Sequence, residues 1–361
     1  MSLPLISKLP LWVTASNWLL VVLSTLMALV GLEGALQIRQ MLWYRTTAAE
    51  QERLALTQTT TLRLHRRSQD PVLKYETRPG AVVERDGVLY RINAQGLRDD
   101  TDVPPKQAGE RRLVVLGDSI AFGLGVDQEW TFTHLIENAL HKTRPMTRVL
   151  NHSVLGYATD QEVRLFERDG WSLEPDGVVV AFCLNDFDDY SGELPLFDPS
   201  THLAEGGFRR LAPRRLGGVE LPEPLPLLDR SLFFRKLSER LLRVDYYRWI
   251  GTDVERRQRV AAALDQLGNA LSERGLPHLL VIFPILVDHG SYPYTDIHRF
   301  VSERATAAGF KVVDLLEAFS TESLAALRLQ PNDVLHLNKR GHMVTARVLA
   351  PCLADPALHC P

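Results

Sequence analysis

Five short apolar runs, each next to a helical stretch, limit what this chain can fold into. "RLVVLG" at 112–117 leads to the helix-forming "TFTHLIENALHK". "RVLNHSV" at 148–154 leads to "TDQEVRLFERDG", and "DGVVVAFCLND" follows at 176–186. "PHLLVIFPIL" at 277–286 and "FKVVDLL" at 310–316 complete the set. Runs of this length without polar alternation read as strands buried on both faces. Strands alternating with amphipathic helices predict an α/β fold with a doubly wound parallel sheet of five strands. Ligands in such sheets bind beyond the carboxyl ends of the strands. The first run ends there on Gly117-Asp118-Ser119.

Two chemistries use a glycine-rich turn after a strand. Phosphate binding fails on the residues. No Gly-Lys pair follows Gly117, as a P-loop requires, and Gln128 stands where a dinucleotide fingerprint from Gly123 needs its third glycine. A nucleophile is the other option. A serine hydroxyl needs a base, normally a histidine oriented by a carboxylate, and "NDVLHLNKRGH" supplies Asp333 three residues before His336. The turn has Ala121 where the common α/β-hydrolase elbow Gly-x-Ser-x-Gly has its last glycine, so that family does not fit.

The blocks together resemble the GDSL-type, or SGNH, hydrolases. "GDSI" at 117–120 is similar to the first block, with Ser119 as nucleophile, and "NHSVLGYATDQ" to the second, with Gly156. "CLND" at 183–186 is similar to the third, with Asn185, and "DVLHLNKRGH" to the last, with Asp333 and His336. The resemblance spans about residues 111–353; Cys183 departs from it, standing where the third block has glycine. It implies a flavodoxin-like SGNH fold, the catalytic residues Ser119, His336 and Asp333, and an oxyanion hole from Ser119, Gly156 and Asn185. The implied activity is that of a serine esterase on an acyl ester, acetyl above all, of a carbohydrate or lipid. The alternatives are acyl transfer by the same residues beside a membrane-bound O-acyltransferase, and a non-catalytic glycan-binding domain.

Composition narrows the partners. A net charge of −3 with 24% charged residues gives no basic excess, so nucleic acid is not expected. His134, His152, His289 and His298 show no metal-ligand spacing, and no metal or cofactor is expected. His342 is read as a packed or surface residue of the last helix, Cys183 as a small buried one, and Asp118 as support for the turn. A bond between Cys352 and Cys360 stays open.

The amino-terminal part has its own organisation. Leu9 to Leu32 contains no charged residue, enough for a helix across a bilayer, with Trp12, Trp43 and Tyr44 near its ends. The run is longer than the apolar part of a signal peptide, so an uncleaved single-pass anchor is expected over 1–34. Lys8 on one side and Arg39 and Arg45 on the other do not set its orientation. The resemblance places the catalytic domain on the periplasmic side. A juxtamembrane helix is expected over 35–70, then a hairpin about Asp86-Gly87 and a linker over 71–110, then the hydrolase domain over 111–361. Its insertion at 187–230, rich in proline and glycine, is read as a lid or a surface loop.

Overall fold

Residues 20–35 form helix α1, exposed from Leu20 to Leu32. A helix that is apolar all round has no polar face to turn to water. Among the described residues, no helix is long and apolar enough to cross a membrane. The computed structural model describes residues 20–35, 38, 64–188, 215–216, 219–220, 246–287, 292–331 and 333–360. Residues 9–19 of the expected span, residues 39–63 of the expected juxtamembrane helix and most of the 187–230 insertion lie outside them. The chain divides into two units, Met1–Leu56 with Leu211–Val244, and Thr57–Arg210 with Asp245–Pro361.

The second unit opens with two antiparallel strand pairs. β1 (His65–Arg67) pairs with β2 (Tyr75–Thr77), so the expected helix does not continue to 70. The pairing buries His65, and Arg66 meets the Glu76 carboxylate at 2.7 Å. These cross-strand contacts outweigh the helix propensity of the segment. β3 (Val82–Arg85) and β4 (Val88–Arg91) form the expected hairpin. Asp86 and Gly87 both take left-handed backbone, φ 53° and 76°, as a two-residue turn matching the twist of its strands demands.

The five apolar runs become strands. β5 (Arg111–Gly117) leads into the short helix α2 (Ser119–Phe122) and then α3 (Phe132–His141). β6 (Thr147–Asn151), α4 (Thr159–Asp169) and β7 (Gly177–Cys183) follow. The small hairpin β8 (Arg215–Leu216) and β9 (Val219–Glu220) belongs to the first unit. The second unit resumes with α5 (Tyr246–Thr252), α6 (Val254–Ser272), β10 (His278–Phe283), α7 (Thr295–Ala307), β11 (Lys311–Asp314), α8 (Leu316–Ser320) and α9 (Lys339–Ala354).

The sheet order is β11-β10-β7-β5-β6, parallel throughout. This is the flavodoxin-like order expected from the sequence. All residues of β7 and β10 are buried, which explains their unbroken apolar runs. The chain steps from β5 to β6 towards one edge and then crosses back to β7 on the other side. Right-handed crossovers therefore place α3 and α4 on opposite faces. Accordingly α3 packs with α9, and α4 packs with α6, which packs with α7. The reversal leaves a crevice outside the carboxyl ends of β5 and β7, where their loops diverge. Near the chain end Cys352 and Cys360 are disulfide-bonded, closing the pair left open above.

Candidate active site

The crevice between β5 and β7 collects the residues singled out in the sequence. Asp118 follows β5 and caps α2, its Oδ1 accepting from the Ile120 N–H at 2.8 Å. The cap turns the chain sharply, so Ser119 becomes the first residue of the helix. His336 lies between the short 3₁₀ helix Leu324–Leu327 and α9, and its Nε2 is 2.9 Å from Ser119 Oγ. On the far side of the ring, Nδ1 meets Asp333 Oδ2 at 2.8 Å.

The three-residue spacing between Asp333 and His336 has a local cause. Asp333 Oδ1 accepts from the backbone N–H groups of Leu335 and His336, at 3.0 and 2.9 Å. One carboxylate therefore folds its own turn with one oxygen and holds the imidazole with the other. Burial pushes the Asp333 carboxyl up, but its hydrogen bonds to His336 and Leu335 outweigh that and hold it at about 2. It is a carboxylate at neutral pH. With that anion on Nδ1, the tautomer is set so that Nε2 can take a proton from Ser119.

Asn185 follows β7 and is buried with Ser119. Its Nδ2 donates to Asp118 Oδ2 at 2.6 Å, bridging the loops of β5 and β7. An amide nitrogen carries two hydrogens, so one remains for another acceptor. Cys183 has extended backbone, φ −131° and ψ 164°, so the strand end requires no glycine there. The departure from the family block is thus compatible with the path into Asn185.

Gly156 lies on the turn after β6. That turn is tied to β5, because the Val154 N–H donates to the Gly117 carbonyl at 3.0 Å. Gly156 has φ +75°, a conformation that favours glycine, and a Cβ there would come 3.1 Å from the Tyr75 hydroxyl. Among the described residues, no backbone carbonyl accepts from the N–H of Ser119 or Gly156. Two backbone donors and one amide donor are thus placed on the loops that surround Ser119.

Several residues of this region were missed in the sequence. Arg98, buried, donates to the carbonyls of Phe122, Gly123 and Val126, and its guanidinium lies 4.7 Å from the Tyr90 ring centre. Tyr90 Oη accepts from the Gly125 N–H at 2.9 Å. Together they fix the glycine turn behind the Ser119 helix, and burial pulls Arg98 down to about 10. Behind Asn185, the Asp186 carboxylate accepts from Thr159 at 3.1 Å. Glu162 is fully buried and neither carboxyl oxygen has a partner among the described residues. Burial raises both carboxyls well above their usual range, and the charge of Asp118 adds to it.

His342 is packed, its Nδ1 accepting from the Phe132 N–H at 3.2 Å, and burial lowers it to about 3. Cys183 is a buried free thiol. His298 pairs with Asp314 at 2.8 Å, and His289 lies outside the described residues. Among the described residues, no group of histidines, cysteines and carboxylates is arranged to hold a metal.

Comparison with known proteins follows the geometry. The model of the GDSL-like lipase/acylhydrolase family matches residues 115–344. No curated relative matches the sequence. Among solved structures, the chain is similar to an α/β hydrolase from the metagenome of Lake Arreo, Spain, at 16% identity, covering 70% of this chain and 98% of that one, with a TM-score of 0.43. It is also similar to the acetylxylan esterase Axe2 from Geobacillus stearothermophilus at 17% identity, covering 68% and 93%, with a TM-score of 0.42.

Proposed function

The chain belongs to the GDSL-like lipase/acylhydrolase family, and from that premise we propose a serine esterase that removes an acyl group, acetyl in the first instance, from a carbohydrate or lipid. The observation that carries this reading is the continuous chain of contacts from Ser119 Oγ through His336 to Asp333, at 2.9 and 2.8 Å.

The reaction follows from those contacts. His336 Nε2 takes the Ser119 proton as Oγ bonds to the ester carbonyl carbon, and the carbonyl oxygen becomes an oxyanion. The N–H groups of Ser119 and Gly156 and the amide of Asn185 receive that charge. The tetrahedral species collapses, the bond to the alcohol oxygen breaks, and His336 returns the proton to the leaving alcohol. Water then repeats the sequence on the acyl-serine and releases the acid. A sugar hydroxyl in place of water would make the same intermediate a transferase, and the free acid distinguishes the two.

The anchor and the extracytoplasmic location belong to the same proposal. Two features support them: the apolar exposed surface of α1, and the Cys352–Cys360 bond, which persists in oxidising compartments. Acyl esters of envelope polysaccharides are met on that side.

Purified full chain should release free acid from p-nitrophenyl acetate and from acetylated oligosaccharides. A folded protein that turns over no acyl ester overturns the reading.

A further inference from the structure

The strand pair that precedes the sheet reaches the oxyanion site through one hydroxyl. Tyr75, on β2, is buried, and its Oη donates to the carbonyl of Leu155 at 2.8 Å. That carbonyl shares its peptide unit with the N–H of Gly156. The planar peptide ties their directions together: orienting the carbonyl orients the N–H on the opposite edge. A carbonyl that accepts a hydrogen bond also polarises the amide, which makes its N–H a better donor.

The tyrosine is itself held from several sides. Its ring meets Tyr157 edge-on at 5.2 Å and His65 at 5.8 Å. Tyr157 donates its hydroxyl to the Tyr75 carbonyl, so the turn around Gly156 and strand β2 are hydrogen-bonded in both directions. Gln161 adds a further link, with Nε2 donating to the Leu73 carbonyl at 3.3 Å and Oε1 accepting from the Ala158 N–H at 3.2 Å. The space beside Gly156 is filled by the same hydroxyl, 3.1 Å from where a Cβ would stand. The glycine thus accommodates both the left-handed turn and the close tyrosine.

We infer that Tyr75 is a positioning residue for the oxyanion site, acting through the Leu155–Gly156 peptide. This rests on the esterase reading and on Gly156 as a donor. Tyr75 lies outside the segment that matches the family, so this positioning contact reaches the site from the strand pair at 65–77.

The test compares Tyr75→Phe with Tyr157→Phe in the full chain, each next to Ser119→Ala. Both phenylalanine variants lose one buried hydroxyl from the same cluster, but only the first loses the contact with Leu155. For wild type and the two tyrosine variants, rates on p-nitrophenyl acetate are expressed per site titrated to completion with a fluorophosphonate, which removes misfolded protein from the count. Ser119→Ala, which has no serine to titrate, is expressed per mole of protein that shows the wild-type melting transition. Tyr75→Phe should lower kcat about tenfold, a fraction of what a whole oxyanion donor contributes, with KM unchanged. Tyr157→Phe removes a tether of Tyr75 but leaves the Tyr75 hydroxyl on the Leu155 carbonyl, so it should lower thermal stability and lower kcat by less than Tyr75→Phe does. Equal kcat in Tyr75→Phe and wild type, or an equal fall in both tyrosine variants, overturns the inference while an inactive Ser119→Ala leaves the esterase reading standing. An active Ser119→Ala overturns both.

Discussion

Asn185 Nδ2 donates to Asp118 Oδ2 at 2.6 Å, tying the turn after β7 to the residue before Ser119. The contact crosses the point where the strand order reverses, bridging the two loops beside Ser119. It also leaves the Asn185 amide one further hydrogen, which the proposed mechanism gives to the oxyanion.

The first prediction follows from that shared amide. Asn185→Ala should lower kcat by about 10²–10³ with little change in KM, because the amide acts on the transition state. Asp118→Ala should also lower kcat, and the double variant should lose less than the product of the two, since one contact serves both residues. A rise in KM at constant kcat would instead assign Asn185 to ground-state binding. Steady-state kinetics on p-nitrophenyl acetate decides.

How much of this was readable beforehand depends on the range of each contact. Ser119, Asp333 and His336 were legible because their local roles leave short signatures: a strand end with a cap, and a carboxylate that folds its own three-residue turn. The hairpin at Asp86-Gly87 was legible for the same reason. Tyr75, Arg98 and Glu162 were not. Tyr75 meets Leu155 at a separation of 80 residues and Arg98 meets Phe122 at 24, and no periodicity encodes such pairings. Glu162 sits in the first turn of α4, where an acid suits the helix dipole and reads as solvated. The fold buries it because α4 turns that side towards Asp186. β1 was misread as helix, since three residues carry too little pattern to outweigh a good helix-forming context.

Glu162 makes the second prediction, on pH. Its folded-state pKa lies above the unfolded one, so the folded protein keeps a proton that the unfolded chain releases. The stability linked to that proton is complete below the unfolded glutamate value of about 4.3. It is lost as pH rises towards the folded value. Glu162→Gln has no proton to lose. Its melting temperature minus that of wild type should therefore increase from about pH 5 to about pH 8. Thermal unfolding of both proteins across that range is the measurement, and a difference independent of pH contradicts a Glu162 carboxyl raised by burial.

A third prediction concerns the amino-terminal region. The full chain should fractionate with membranes, and a chain beginning at Thr57, the start of the second unit, should be soluble and still react with a fluorophosphonate. The cut must precede Leu64, which is buried, and β1, which pairs with β2. Recovery of the full chain in the soluble fraction contradicts the anchor.

The nucleophile is the centre of the account. Ser119 Oγ lies 2.9 Å from His336 Nε2, and every proposed step passes through it. Its test is the turnover of Ser119→Ala on p-nitrophenyl acetate, with folding checked by thermal unfolding against wild type. The account predicts a loss on the order of 10³–10⁶ in kcat with an unchanged melting transition; wild-type turnover in the folded variant contradicts it.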